Sequence, residues 1–81
     1  MPKFRKRPVV IDAVKWTGSN VDDVRALGLE SPDVTGTDLL VPTLEGPLRA
    51  VAGDWVIRGV QGEFYPCKPD IFAATYEPAG E

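Results

Sequence analysis

The chain has 81 residues, of which 43% are hydrophobic and 26% are charged, and its nine basic and twelve acidic residues give a net charge of −3. This length allows one domain, which we expect to span residues 1–81, and the sequence contains no apolar run near the ~20 residues of a membrane span. The absence of His and the single Cys67 exclude intrachain disulfides and multi-cysteine metal sites, and they remove the commonest general base.

Residues 1–7 form a basic arm that contains Lys3, Arg5, Lys6 and Arg7 and no acidic residue. Residues 8–81 therefore carry five basic and twelve acidic residues, a net charge of −7. A basic arm can contact phosphate, but an acidic body opposes a nucleic-acid duplex, so we expect the arm to keep a strand edge soluble instead. The N-terminus lacks the apolar segment of a signal peptide, which favours a cytoplasmic protein without membrane contact.

The first half of the chain predicts one strand and one helix. Residues 8–16 are rich in β-branched side chains and begin at a Pro, which indicates a central strand covered on both faces. Residues 21–27 carry apolar side chains at helical spacing, with Asn20 as a candidate N-cap and Gly28 as a left-handed stop. Residues 30–37 have the composition of a loop.

The second half of the chain predicts short strands separated by turns that contain Gly. We expect strands at 39–41, 48–51, 55–58 and 63–66, one helical turn at 68–72, a last strand at 73–77 and a flexible tail at 78–81. The pattern predicts an α+β fold with a small, mostly antiparallel β-sheet or partly open barrel and one short helix. Aromatic and branched side chains from both chain ends are expected to meet in a single core.

Few residues are candidates for chemistry. Cys67 has no His to activate it, although the adjacent Lys68 could lower its pKa, and we expect it to pack as a small apolar residue. Glu45, Asp54, Glu63 and Asp70 lie at predicted turns, where two converging acids could act as acid and base or hold Mg²⁺. We expect a structural use instead, because turn carboxylates accept hydrogen bonds from backbone N–H groups, and the positions of Asp54 and Asp70 fit that use. We therefore expect no catalytic residue, no metal and no cofactor.

Aromatic side chains that the core leaves exposed are candidates for partner binding. Trp55 and Phe64 flank a predicted hairpin as cross-strand neighbours, and Tyr65 points to the face opposite Phe64. Exposed rings beside cationic side chains suit a flat protein surface or a stacked base. The candidate partner-binding residues are Trp55, Arg58, Tyr65, Arg49 and Lys68.

Two blocks at the ends of the chain carry a family resemblance. They are Lys3-Phe-Arg-Lys-Arg-Pro-Val-Val-Ile-Asp-Ala-Val-Lys-Trp-Thr-Gly18 and Gly53-Asp-Trp-Val-Ile-Arg-Gly-Val-Gln-Gly-Glu-Phe-Tyr-Pro-Cys-Lys-Pro-Asp-Ile-Phe-Ala-Ala-Thr-Tyr-Glu77, and Leu44-Glu45-Gly46 also fits. The blocks resemble a family of small proteins carried by tailed phages and prophages, and the related group named for a Pro-Gly-Asp-Tyr-Gly motif, at whose place this chain has Ala52-Gly53-Asp54-Trp55. The resemblance implies a phage or prophage gene product in the host cytoplasm, and it implies no catalytic residue or cofactor.

These features favour a non-enzymatic protein-interaction module, a phage or prophage accessory protein whose exposed strand edge or aromatic surface binds a host or phage protein, with homo-oligomerisation as a further option. The alternative is a small-ligand or nucleotide-binding protein that places Arg49, Arg58 or Lys68 beside an aromatic ring. This alternative needs an oligomer, because a domain of this length has little room for a pocket. The third hypothesis is an enzyme that uses carboxylates and a metal ion.

Overall fold

The structure, a computed structural model, describes residues 1–5 and 8–79. Its elements in chain order are β1 (Asp12–Lys15), α1 (Val21–Leu27), β2 (Asp33–Thr35), β3 (Asp38–Thr43), β4 (Gly46–Ala50), β5 (Trp55–Arg58), β6 (Phe64–Cys67) and α2 (Pro69–Thr75). The strands form two antiparallel sheets, sheet A with the order β1-β5-β6 and sheet B with the order β2-β3-β4. The predicted small α+β fold is confirmed, and within the described residues the two sheets do not close into a barrel.

The first strand is shorter than predicted, and it lies at the edge of sheet A instead of at its centre. The β5–β6 hairpin fills one side of β5, and β1 pairs with the other side through the register Asp12–Arg58 to Lys15–Trp55. The outer side of β1 has no neighbouring strand among the described residues. Val9 and Val10, which the prediction included in this strand, precede it and are exposed. The apolar pattern therefore predicted the strand but not its position in the sheet.

Two further segments differ from the prediction. Residues 33–35 form β2 where a loop was expected, because a turn at Gly36, whose φ is +62°, folds them back onto the start of β3. Residues 73–75 belong to α2 and not to a last strand. Pro69 suits the first helical position, and the alanines that follow are good helix formers, so the helix continues past its first turn.

Helix α1 has the predicted position, and Asn20 is its N-cap residue as predicted. The Asn20 side chain accepts no backbone N–H of the helix, and its Nδ2 lies 3.0 Å from an Asp23 carboxylate oxygen. Its Oδ1 accepts the Thr17 N–H at 2.8 Å, and its Nδ2 donates to the Lys15 carbonyl at 2.8 Å. At the other end Gly28, with φ +121°, stops the helix as predicted, and its N–H donates to the Arg25 carbonyl. Asn20 therefore ties the turn before α1 to β1.

The main core lies between the two sheets and α1. Its buried residues are Trp16, Val24, Leu27, Leu29, Leu39, Val41, Ala50 and Val56. The indole N–H of Trp16 donates to the Thr37 carbonyl at 2.8 Å, in the turn between β2 and β3. One fully buried ring therefore both fills the core and holds the end of β1 against sheet B.

Sheet A also buries apolar side chains on its other face, in addition to the predicted single core. Neighbouring residues of a strand point to opposite faces, so Ile57 points away from the core that contains Val56. Both side chains are fully buried. Ile57 lies opposite Ala13 and Tyr65 in the ladder. A second apolar layer therefore lies between sheet A and α2.

Replacing Trp16 with Phe removes the N–H donor and part of the buried ring. We expect the free energy of unfolding to fall by about 2–4 kcal/mol, because a carbonyl loses its partner and a small cavity opens in the core. Urea denaturation followed by circular dichroism measures this loss. The control is Val60→Ala at an exposed turn position, with an expected change within about 0.5 kcal/mol. A loss as small as that of the control would contradict the assigned role of Trp16.

Candidate functional site

A groove of about 700 Å³ lies on the second face of sheet A, beside α2. Its lining is aliphatic or aromatic, apart from Glu77. The sheet and the segment before it contribute Val9, Val10, Ile11, Ala13 and Trp55, and the C-terminal region contributes Pro69, Phe72, Ala73, Tyr76, Glu77, Pro78 and Ala79. Residues near both ends of the chain, together with Trp55 of β5, therefore form the groove.

Three aromatic rings hold α2 against the sheet. The Trp55 and Phe72 rings are stacked, with centroids 4.1 Å apart and planes inclined by 5°. The Phe72 and Tyr76 centroids are 5.1 Å apart. Tyr76 directly follows α2, and its N–H donates to the Phe72 carbonyl at 2.9 Å, which brings both rings to the side of the helix that faces the sheet. Each such pair stabilises the contact by about 0.5–1.5 kcal/mol, so the rings are a rigid part of the groove.

Tyr65 extends the aromatic row by a polar contact. Its hydroxyl lies 3.3 Å from the Tyr76 hydroxyl. Burial, followed by this hydrogen bond, raises the pKa of Tyr65 to about 12. Phe64 packs against the main core, so the prediction that Tyr65 and Phe64 point to opposite faces is confirmed. The predicted pairing of Trp55 with Phe64 is wrong, because the register places Trp55 opposite Cys67.

Lys68 is held by a buried carboxylate. Its Nζ lies 3.1 and 3.3 Å from the two oxygens of Asp54, whose side chain is 4% exposed. One of these oxygens also accepts the Val51 N–H at 3.0 Å. This confirms the prediction that the Asp54 carboxylate accepts a backbone hydrogen bond within its turn. Burial, Asp54 and Asp70 raise the pKa of the Cys67 thiol. The predicted lowering of this pKa by Lys68 is wrong, because the ammonium group is directed at Asp54.

The other two candidate cations lie away from the groove. A guanidinium nitrogen of Arg58 donates to the Leu27 carbonyl at 3.3 Å, at the end of α1. Arg49 lies in sheet B, where its Nε is 3.6 Å from a carboxylate oxygen of Asp38. Of the five predicted partner-binding residues, the structure therefore brings Trp55 and Tyr65 together through α2. Arg49, Arg58 and Lys68 are held by other partners.

The outer edge of β1 borders the groove. The Trp16 N–H donates to the Asp54 carbonyl at 2.8 Å. Backbone groups alternate between the two sides of an antiparallel strand, so those of Ala13 and Lys15 point outward, away from β5. The bond from Asn20 to the Lys15 carbonyl fits this alternation and covers that end of the edge. The edge is therefore open beside Ala13, which also lines the groove.

Sequence reasoning missed the Phe72 and Tyr76 rings as part of the site. It assigned Phe72 to a helical turn and Tyr76 to a strand, which separated them. Their spacing of four residues, about one helical turn, is the signal that could have brought them together at the end of α2. Val9, Val10, Ile11 and Ala13 all line the groove, although the sequence predicted residues 8–16 as a strand covered on both faces.

The chain matches no family model, no curated protein and no solved structure. The resemblance to phage proteins stays a prediction, and the candidate site rests on geometry. In the ranges that the structure describes, no group of three or more His, Cys, Asp or Glu side chains is arranged to hold a metal ion. Neither helix in these ranges has the length and hydropathy needed to cross a membrane.

The raised pKa of Tyr65 predicts a loss of stability in alkali. The unfolded chain releases this phenol proton near pH 10 and the folded chain near pH 12, so the stabilisation is complete below pH 10 and is lost as the pH rises to 12. Thermal unfolding across this range should show a steeper decline for the wild type than for Tyr65→Phe, which has no proton to lose. Parallel declines would contradict the assignment.

Proposed function

We propose that the protein is a non-enzymatic protein-interaction module that binds its partner in the groove beside α2. The observation that carries this proposal is an open apolar groove of about 700 Å³ on the second face of sheet A. Exposed apolar surfaces of this kind are typical of protein contact sites. The apolar lining favours an apolar segment of a partner protein as the ligand.

The partner that we propose is a phage or host protein in the bacterial cytoplasm, as the family resemblance implies. Its segment would place apolar side chains against Trp55 and Phe72, whose stacked rings lose little conformational freedom on binding. Glu77 is the charged residue among the described lining residues. A Lys or Arg beside the apolar positions of the segment would complement this carboxylate.

The environments of the reactive groups support binding over catalysis. The Asp54 carboxylate accepts a backbone N–H and contacts Lys68, so its oxygens already have partners. The raised pKa of Cys67 lowers the fraction of thiolate, the nucleophilic form. Neither group lines the groove. Asp54 therefore has a structural use that needs no reaction, and Cys67 is mostly in its less reactive thiol form.

Adjacent alanines of α2 provide a matched test of the groove. Ala73 lines it and Ala74 does not, both are exposed, and Ala→Glu preserves helix propensity. We expect the tagged wild type and Ala74→Glu to capture the same protein from lysates of phage-infected or uninfected bacteria. Ala73→Glu should bind the purified partner at least about tenfold more weakly, a cost of about 1.4 kcal/mol for placing a charge in an apolar site.

The capture experiment can also reject the proposal. Recovery of no stoichiometric partner by the wild type from either lysate would overturn the interaction module. A partner that binds Ala73→Glu and Ala74→Glu equally would show that docking occurs on another surface.

The volume of the groove favours a second candidate function, the binding of a small apolar ligand. Small-molecule sites have volumes of roughly 300–1,000 Å³, and this groove falls within that range. None of Arg49, Arg58 and Lys68 lines it, which favours an apolar ligand over a nucleotide.

Thermal unfolding in the presence of two ligand panels tests this second candidate. We expect Tm to rise with the concentration of an apolar ligand, because a ligand that binds only the folded state stabilises it, and to stay constant with nucleotides. The rise should be absent in Ala73→Glu and present in Ala74→Glu. No rise with any apolar ligand would remove this candidate.

A further inference from the structure

We infer that the outer edge of β1 pairs with the same edge of a second copy of this chain, which joins two copies of sheet A into one antiparallel six-stranded sheet. This inference goes beyond the proposed function, because it concerns the strand edge and names a second copy as its partner. It rests on three features of residues 1–5 and 8–23, namely the direction of the β1 backbone groups, the partly uncovered apolar side chains and the distribution of charge.

The backbone groups at the β1 edge are directed outward at alternate positions. The bond from Trp16 to Asp54 sets this alternation, which directs the N–H and carbonyl groups of Ala13 away from β5. β1 itself begins at Asp12; in the proposed dimer the strand continues toward the N-terminus, and the same alternation then directs those of Ile11 and Val9 outward. Pro8, which has no N–H, falls at an inward position and does not interrupt this row.

The segment before β1 presents apolar side chains that the described residues leave partly uncovered. Val9 is 51% exposed and Val10 is 74% exposed. An unpaired strand edge with apolar side chains is prone to add further strands. Pairing with a second copy satisfies the outward backbone groups and shields part of this apolar surface.

The sequence selects one register for this pairing. A two-fold axis perpendicular to a sheet keeps each side chain on its own face, so outward positions pair with outward positions. An axis at Ile11 pairs the two Ile11 residues and pairs Val9 with Ala13 of the second copy. This register forms about six hydrogen bonds, since each hydrogen-bonded pair exchanges two. It uses all three outward positions.

The neighbouring registers toward α1 are unfavourable. An axis at Asp12 would place two carboxylates directly opposite each other, which destabilises a sheet. An axis at Ala13 would pair Ile11 with Lys15 of the second copy, whose carbonyl already accepts a hydrogen bond from Asn20. The bond from Asn20 therefore limits the ladder to the segment that ends at Ala13.

Charge complementarity favours a second copy as the partner at this edge. Lys3 and Arg5 are exposed on the N-terminal side of the ladder, and the antiparallel direction places that side toward α1 of the second copy. The first turn of α1 carries Asp22 and Asp23, and the Asp22 side chain is 94% exposed, although it also contacts Arg25 at 3.1 Å. Attraction between these cations and carboxylates would favour a second copy at this edge.

Self-pairing also extends the groove. Because the axis preserves the face of each side chain, the two grooves lie on the same side of the six-stranded sheet, with Val9, Ile11 and Ala13 of both copies between them. The ladder is short, so the contact area falls at the small end of specific interfaces, below about 1,200 Å². We therefore expect a reversible dimer.

Sedimentation of the full chain across a concentration series tests the dimer. Ile11→Pro removes the N–H groups of the axial pair, and we expect it to raise the dimer Kd about ten- to hundredfold. Val10→Pro makes the same substitution at an inward position, and its Kd should stay within about threefold of the wild type. Circular dichroism and thermal unfolding of both variants check that each one folds.

Two further variants test the proposal without disturbing the fold. Lys3→Glu/Arg5→Glu changes exposed residues of the arm, and we expect about three- to tenfold weaker dimerisation and a smaller salt dependence.

Ile11→Cys in a Cys67→Ser chain should form an intermolecular disulfide under mild oxidation, because Cα atoms of a hydrogen-bonded pair lie about 5.5 Å apart. Leu44→Cys, at an exposed turn remote from the edge, should not.

A wild type that stays monomeric up to about 1 mM would overturn the inference. So would a dimer that Ile11→Pro leaves intact or that position 11 fails to cross-link. None of these outcomes depends on the capture experiment with Ala73→Glu and Ala74→Glu, so failure of the dimer and failure of the interaction module are separately visible.

Discussion

The central strand of sheet A carries apolar side chains on both faces, and this property constrains the rest of the structure. Val56 and Ile57 are adjacent and fully buried, yet they point in opposite directions. Sheet B and α1 cover the first face, where Trp16 joins the two sheets through Thr37. The second face depends on α2, a helix of seven residues. A helix of that length spans about 10 Å, so it covers the Trp55 side of the face and leaves the β1 side open.

The polar residues of the domain mostly support this arrangement. The buried Asp54 carboxylate accepts a backbone hydrogen bond in the turn before β5 and forms an ion pair with Lys68, which precedes α2. It therefore links the start of β5 to the start of α2. Arg58 donates to a carbonyl at the end of α1, which links sheet A to that helix. Asp54, Lys68 and Arg58 are therefore engaged in contacts within the domain. The candidate groove is mainly apolar, so shape complementarity would contribute most to recognition there.

The segment at positions 9–13 connects the two proposed binding surfaces. Val9, Val10, Ile11 and Ala13 line the groove, and the backbone groups of Ala13 point to the outer edge of β1. A ligand in the groove and a strand at the edge would therefore contact one short stretch of chain from two directions. Ordering of this stretch by one partner would lower the conformational entropy cost of binding the other, so the two events are expected to favour each other.

The sequence by itself determined the elements whose signals are local. The apolar residues at helical spacing and Gly28 predicted α1, and the Gly-containing turns predicted the strands that became β3 to β6. The position of Asp54 in a turn predicted that its carboxylate accepts a backbone hydrogen bond. Tertiary structure decided the rest, because those choices depend on contacts between residues far apart in the chain. The apolar segment at 8–16 suits a central or an edge strand equally, and only pairing with β5 placed it at the edge. Phe72 became part of a groove because its stack on Trp55 holds α2 against the sheet, a contact that no local pattern records.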